Sequence, residues 1–443
     1  MAEDVTGVPH SCPAAARRTA GRALLGVAAT VVVVAGPVLP AGAATAAPHR
    51  VASSPVAFAP AEPSRPDQVR DEQWQLDELQ AETAWRTSTG RGVTVAVIDS
   101  GVDGSHPDLA GQVLPGTDLV SPTGGPPDPV GHGTTVAGLI AGRNDDKRGV
   151  AGLAPDAKIL PVRVLDAENR YDDAMIVARG VRWAVDHGAR VINLSLGGSG
   201  DSPALAAALD YAFARDVVVI ACTGNLATST STRVWYPARE PGVIAVAGLE
   251  RSSDNLWSGS ITGRATVLSA PATGLVGARP PDGYWRVQGT SFAAPLVSAT
   301  AALVRSRYPQ MSAGEVVNRL LTTARDIGPT GRDDRFGFGL VDPVAALTSD
   351  VPSVTGNPLD DNDSPGVVGF GPAPGVGPEE PVAGAGSDPL SLTAPRQHTR
   401  WSPRAGGSQE ESAPERLWTG AALFVALVTG AALMVRRFRQ HGR

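Results

Sequence analysis

Cysteine is scarce in this sequence. Only Cys12 and Cys222 occur among 443 residues, and Cys12 lies in an N-terminal segment that we expect to be removed on export. An exported form with one cysteine cannot form an internal disulfide, which excludes a disulfide-stapled fold. Cys222 is therefore expected to be a buried thiol that packs like a small apolar side chain.

Positively charged residues are fewer than negatively charged ones. The chain has 38 Lys and Arg against 44 Asp and Glu, a net charge of -6, and it has no long basic stripe. Both features argue against a nucleic-acid partner. Hydrophobic residues make up 42% of the chain, which is enough for a sizeable core. The length allows one large domain with additional segments.

A serine at the start of a run of small apolar residues is the first sign of chemistry. The motif Gly-Thr-Ser-Phe-Ala-Ala-Pro occupies residues 289–295, and the run continues to Val304. This pattern predicts a helix buried on nearly all sides, with Ser291 near the positive end of its dipole. By itself, Ser291 is interpreted equally well as an N-cap residue or as a nucleophile.

Two further motifs favour the nucleophile. Residues 93–98 form an apolar run rich in β-branched residues, and Asp99 follows directly before a Ser-Gly turn. Such a run is typical of a buried strand in a parallel sheet, and ligands bind at the carboxyl edge of these sheets. His132 stands between two glycines, which leave room for a partner, and a helix-like run follows it.

These motifs, in the chain order Asp99, His132 and Ser291, resemble those of the subtilisin-like serine peptidases. The resemblance covers about residues 70–347. It implies a three-layer α/β fold with a mainly parallel sheet and helices on both faces. It also implies that Ser291 attacks a peptide carbonyl, that His132 accepts and returns the proton, and that Asp99 holds the imidazole. This chemistry needs no cofactor.

The resemblance extends to residues that would bind the substrate. Asn225 follows a strand predicted over residues 217–221 and matches the oxyanion-hole donor of the family, where it would act with the backbone N–H of Ser291. The stretch that matches the substrate-binding strand and the wall of the specificity pocket comprises Ser195, Leu196, Gly197 and Gly198. Its glycines would let a second backbone approach and add by main-chain hydrogen bonds.

Two alternatives stay open. Cys222 and Asn225, with a distant histidine, would suit a cysteine peptidase, although no histidine–cysteine motif of that kind stands beside them. Asp108 matches a carboxylate that binds calcium in some relatives, and the loop at residues 144–147 could supply further oxygen ligands. The other interpretation of that loop is a solvated turn. We expect no metal, with calcium as the one open case.

Residues 1–46 have the features of a signal peptide. Three arginines precede an apolar run over residues 23–39, and a small-x-small cleavage site follows at residues 44–46. Pro37 and Pro40 disfavour the alternative, which is an uncleaved membrane anchor.

The segment over residues 47–69 is rich in Pro, Ala and Ser and predicts an extended N-terminal arm. It is too short to fold as a separate propeptide. The catalytic domain is expected over residues 70–348.

The composition changes after the catalytic domain. Residues 349–416 are dominated by Pro, Gly, Asp, Ser and Ala, which predicts a disordered tether. Residues 417–435 are apolar without a charge and would span about 28 Å as a helix, close to one bilayer core. The basic tail at residues 436–443 places the C-terminus in the cytoplasm and the catalytic domain outside the cell.

A signal peptide, a subtilisin-like domain, a Pro-rich tether and one C-terminal span together resemble the mycosins. These are membrane-bound serine peptidases associated with type VII secretion, so the resemblance implies protein substrates and a secretion complex as partner. Two rival hypotheses remain. One is a general cell-surface protease, and the other is a structural subunit of a secretion complex whose protease activity is secondary.

Overall fold

The computed structural model describes residues 66–360, apart from Pro122, Lys147, Thr230 and Ser252. The predicted signal peptide, transmembrane helix and basic tail lie outside the described residues, as do most of the N-terminal arm and most of the tether. Within the described part of the chain, no helix is long and apolar enough to cross a membrane.

A seven-stranded sheet forms the centre of the domain, and every pairing in it is parallel. The strand order is β2-β3-β1-β4-β5-β6-β7. The strands are β1 (Thr94–Asp99), β2 (Thr117–Asp118), β3 (Lys158–Arg163), β4 (Val191–Leu194), β5 (Val218–Cys222), β6 (Ile244–Leu249) and β7 (Leu268–Pro271). The α/β fold and the mainly parallel sheet expected from the sequence are confirmed.

Nine α-helices occur among the described residues. They are α1 (Pro66–Glu72), α2 (Trp74–Glu78), α3 (Ala81–Trp85), α4 (His132–Ala141), α5 (Ala174–Asp186), α6 (Pro203–Phe213), α7 (Thr290–Arg307), α8 (Ala313–Thr322) and α9 (Pro343–Thr348). Every residue of β4, β5 and β6 is buried, so both faces of the sheet must be covered. One pair of helices, α4 and α7, and a second pair, α5 and α6, pack against it.

A small antiparallel hairpin supports α4 from outside the sheet. It consists of β8 (Leu275–Arg279) and β9 (Gly283–Val287). The indole N–H of Trp285 donates to Thr135 Oγ1 on α4 at 2.6 Å, and Thr135 Oγ1 donates in turn to the carbonyl of Ala278 at 2.8 Å. These bonds hold the helix that begins at His132.

The structure corrects the expected domain boundaries at both ends. Residues 66–69, assigned to an extended arm, begin α1, because Val69 finds an apolar site against Val150, Val276 and Tyr284. Residues 349–360, assigned to the tether, lie on the domain: Leu359 packs against the core, and its carbonyl accepts from Gly242 N at 2.9 Å. In both segments apolar packing outweighs a composition typical of loops.

Candidate active site

The sequence-predicted functional residues meet at the carboxyl edge of the sheet. Asp99 ends β1, His132 begins α4, Asn225 follows β5, and Ser291 is the second residue of α7. In the sheet β1 lies between β3 and β4, so β2 and β3 lie on one side of it and β4 to β7 lie on the other. The strand order therefore changes direction at β1. Open parallel sheets bind ligands at such a switch point.

The Asp99–His132 pair is fully buried and directly bonded. The imidazole Nδ1–H donates to Asp99 Oδ1 at 2.7 Å, and the backbone N–H of Ser100 donates to the same oxygen at 2.7 Å. Both side chains have no exposed surface. Two donors on one carboxylate oxygen fix its position, so the ring tautomer with a proton on Nδ1 is stabilised and Nε2 is the basic nitrogen of the ring.

Burial and the neighbouring charges shift the pKa of His132 in opposite directions. Burial disfavours the charged imidazolium, but the charge of Asp99, its hydrogen bond and the charge of Asp128 outweigh that penalty. The pKa of His132 is therefore raised above its ordinary value. A raised pKa makes the imidazole a stronger proton acceptor once it is neutral.

Asp128 is a supporting residue that sequence reasoning missed. Its carboxylate accepts from Gly131 N at 2.8 Å, from Thr134 N at 2.8 Å and from Ser100 Oγ at 2.8 Å. It thus caps the start of α4 and links that turn to the residue after Asp99. Burial raises the pKa of Asp128, although these hydrogen bonds oppose the shift. An aspartate four residues before a histidine, ahead of a helix, was the available sequence signal.

Ser291 does not cap its helix, which removes the N-cap interpretation. The N-cap of α7 is Gly289, with φ of 147° and no side-chain cap bond. Pro295 lies in the same helix and has no N–H to give to the carbonyl of Ser291. Ser195 Oγ donates to that carbonyl instead, at 2.6 Å. Ser195 therefore holds the backbone of the predicted nucleophile.

The packing of α7 against α4 places Phe292, the residue after Ser291, against the ring of His132. Helices α4 and α7 contact each other, and the ring centroids of His132 and Phe292 are 5.2 Å apart. The Ser291 hydroxyl has Cys222 Sγ as a neighbour at 3.8 Å.

Cys222 does not fit the cysteine-peptidase alternative. The thiol is completely buried, and burial raises its pKa to about 11. A thiol with that pKa stays protonated near neutral pH and is a poor nucleophile.

Asn225 is held by Thr290, the residue before the predicted nucleophile. Its Oδ1 accepts from both the backbone N–H and the hydroxyl of Thr290, each at 3.0 Å. The amide thus turns its N–H groups away from Thr290. This fixed orientation suits a donor to a developing oxyanion, because a preorganised N–H loses nothing in reorganisation during the reaction.

The predicted substrate-binding stretch forms one wall of a slot whose other wall is the turn at Gly224, before Asn225. Gly198 is bonded in both directions to Tyr236, through N–H donation at 2.9 Å and acceptance at 2.8 Å. Because both its N–H and its carbonyl are bonded to Tyr236, Gly198 forms part of the wall and does not pair with a peptide backbone. Leu196 and Gly197 are buried beside it, with the carbonyl of Leu196 3.9 Å from Cys222 Sγ.

Trp235 fills the slot, and no sequence motif pointed to it. A β-carbon on Gly224 would lie 2.5 Å from Cδ2 of the indole, and one on Gly197 would lie 3.1 Å from Trp235 Cβ. The indole is therefore pressed between the stretch at residues 195–198 and the turn before Asn225. Only 5% of the Trp235 surface is exposed. Only the fold shows this, since Trp235 is distant in sequence from Gly197.

Comparisons with known proteins agree with this geometry. Residues 90–339 match the profile of the Subtilase family. Subtilisin DY of Bacillus licheniformis is 39% identical over 258 residues, which cover 58% of this chain and 91% of that protein. Fervidolysin of Fervidobacterium pennivorans is 35% identical over 321 residues, covering 66% of this chain but only 46% of that protein.

Two solved structures have the same fold. The crystal structure of MycP1 with its N-terminal propeptide removed is 31% identical, with a TM-score of 0.57, and the match covers 64% of this chain and 98% of that one. The fervidolysin structure, described as a keratinolytic enzyme related to subtilisin, is 32% identical, with a TM-score of 0.58 and coverage of 69% and 51%. The chain belongs to the subtilase family, and it is a serine endopeptidase of the subtilisin type.

Proposed function

We propose that this chain is a mycosin: an exported endopeptidase, anchored in the cell membrane by residues 417–435, that acts with a type VII secretion complex. The observation that carries the proposal is the combination of a complete Asp-His-Ser set with export and anchor signals at opposite ends of the chain. The similarity to MycP1, which extends over 98% of that chain, supports it.

The rival role is that of a general cell-surface protease. The similarity to fervidolysin is as strong as that to MycP1, and it supports this rival. The predicted tether and anchor suit both roles, and the secretion phenotype of an inactive variant separates them.

The space beside residues 195–198 bears on which peptide bonds the enzyme cleaves. In subtilisin-like enzymes the stretch that matches residues 195–198 lines the pocket for the side chain before the scissile bond. Trp235 fills the corresponding space between Gly197 and Gly224. We infer that the enzyme cleaves after residues with small side chains, such as Ala or Gly.

A peptide series that varies only the residue before the scissile bond tests this substrate choice. An alanine peptide is expected to show kcat/KM about 10²-fold above a phenylalanine peptide, because a bulky side chain would have to displace a buried indole. Trp235→Ala should raise the value for phenylalanine by about 10- to 100-fold. Trp183→Ala is the control. That indole lies on α5 and stacks on His187, the residue after the helix, and not on the predicted substrate-binding stretch. A wild-type preference for phenylalanine would disprove the small-residue specificity.

Topology is tested on intact cells. A protease that cannot enter cells is expected to release a soluble, active domain by cutting within residues 361–416, because residues up to 360 pack on the domain. A variant that ends at residue 416 should appear in the medium without added protease. A cytoplasmic protein that stays intact in the same sample is the control. Complete protection of the tether in intact cells would contradict an external catalytic domain.

A further inference from the structure

Several oxygen atoms of the loop beside Asp108 surround the guanidinium of Arg70, a cation that the protein itself supplies. The guanidinium of Arg70 donates from Nε to the carbonyl of Gly149 at 3.2 Å. Its Nη2 donates to the carbonyls of Arg148 at 3.2 Å and Arg143 at 3.3 Å, and its Nη1 donates to the side-chain oxygen of Asn144. One planar group thus satisfies four oxygens of a single loop.

The same loop is bonded to Asp108. The Asp108 carboxylate accepts from Val150 N at 2.6 Å, and its backbone carbonyl accepts from Arg143 N at 2.8 Å. A β-carbon on Gly149, where φ is 63°, would collide with this carboxylate and with the Tyr284 hydroxyl. The loop therefore closes tightly over Asp108. Burial lowers the pKa of Arg70, and the charges of Asp108 and Asp146 oppose that shift. The guanidinium is charged because its ordinary pKa lies far above neutral pH.

The position of Arg70 is built into the packing of α1. Val69 is fully buried against Val150. Gln73, one residue beyond the helix, forms a two-way bond with Ala151, donating at 2.9 Å and accepting at 2.8 Å. These contacts, on either side of Arg70, deliver its side chain into the loop.

These residues do not fit calcium. Calcium takes six to eight oxygen ligands at about 2.3–2.6 Å, and it would have to share its oxygens and its space with a guanidinium. Among the described residues, no group of three or more His, Cys, Asp or Glu side chains could hold a metal ion. Of the loop oxygens that the sequence suggested as calcium ligands, that of Asn144 accepts from Arg70. Asp145 accepts from the Arg143 side chain, and Asp146 accepts from the backbone N–H of Arg148.

We propose that the guanidinium of Arg70 takes the place of the structural calcium ion that some relatives bind through the carboxylate matching Asp108. The loop at residues 143–149 is then held by an internal organic cation, and the domain needs no metal there. Because the cation is carried by α1, the segment just before the catalytic core becomes part of the folded enzyme.

The test measures thermal unfolding of the full chain in mild detergent, in a Ser291→Ala background that prevents self-digestion. The parent protein is expected to unfold within about 1 °C of the same temperature in millimolar calcium and in a chelator, because a ligand that does not bind the native state adds no stability. Arg70→Ala should lower Tm by about 5–10 °C, through the loss of several charge-assisted hydrogen bonds.

The decisive readout is rescue by a cation. Either millimolar calcium or millimolar guanidinium ion is expected to restore several degrees to Arg70→Ala, because the emptied loop again offers its oxygens. Arg70→Gln, which keeps most of the aliphatic stem but not the charge, should respond in the same way and serves if Arg70→Ala does not fold. Arg91→Ala is the matched control: its exposed pair with Asp156 should contribute about 2 °C or less, with no cation response.

Three results would overturn the proposal. The first is a rise in the parent Tm when calcium replaces the chelator. The second is an Arg70→Ala protein as stable as the parent. The third is a destabilised Arg70→Ala or Arg70→Gln protein that neither calcium nor guanidinium stabilises, which would give Arg70 an ordinary packing role.

Discussion

Ser291→Ala is expected to lower kcat/KM about 10⁶-fold while the domain remains folded, since triads of the subtilisin type act as a unit and little hydrolysis survives loss of the nucleophile. The hydroxyl makes no cap bond for α7, and its neighbour is the weakly bonding Cys222 Sγ at 3.8 Å. Its removal should therefore cost at most about 1 kcal/mol of the free energy of unfolding.

Peptide hydrolysis and thermal unfolding of the purified chain measure the two effects separately. Ser306→Ala is the matched control, because it removes a serine hydroxyl from the far end of the same helix. It should leave hydrolysis unchanged. Undiminished hydrolysis by Ser291→Ala would show that another residue is the nucleophile.

The same variant separates the proposed functions in cells. If its secretion phenotype equals that of a deletion of residues 48–443, proteolysis is the function. If it restores secretion to the deletion strain, the chain also serves as a non-catalytic part of a membrane complex. If neither variant affects type VII secretion, the general surface protease is the better description.

Asp99→Asn is expected to lower kcat by about 10⁴-fold, because the variant no longer stabilises the imidazolium that forms when His132 takes the proton. The amide can keep the Oδ1 contacts with His132 and Ser100 but carries no charge, so the geometry should survive. Asp118→Asn is the control, since Asp118 lies on the edge strand β2 and pairs with Arg163 of β3. A loss below about 10-fold would contradict the assigned role of Asp99.

The pH profile adds an independent measurement. His132 acts as base only when neutral, so kcat/KM should rise with pH and level off above the folded pKa. That pKa is raised by Asp99, so the wild-type inflection should lie above the ordinary histidine value of about 6.5. In Asp99→Asn the largest raising contribution is gone, and the inflection of the residual activity should move to lower pH. An inflection that stays in place would show that Asp99 does not set the pKa of His132.

The fold class and the enzyme class were predictable because their signals are local. A strand that ends in Asp99, a histidine between glycines and a serine before a small-residue run are each contained in a short segment. The segment ends were predicted less well. Composition assigned residues 66–69 to the arm and residues 349–360 to the tether, whereas Val69 and Leu359 find distant apolar partners.

The sequence by itself determined the parallel sheet and the order of Asp99, His132 and Ser291, because hydrophobic period, turn residues and motif spacing are properties of neighbours along the chain. Only the tertiary structure decided that Ser195 holds the carbonyl freed by Pro295, that Trp235 fills the slot beside Gly224, and that the guanidinium of Arg70 sits among the oxygens near Asp108. Each of these joins residues far apart in sequence, and a hydrogen bond or a filled space between such residues exists only once the core has brought them together.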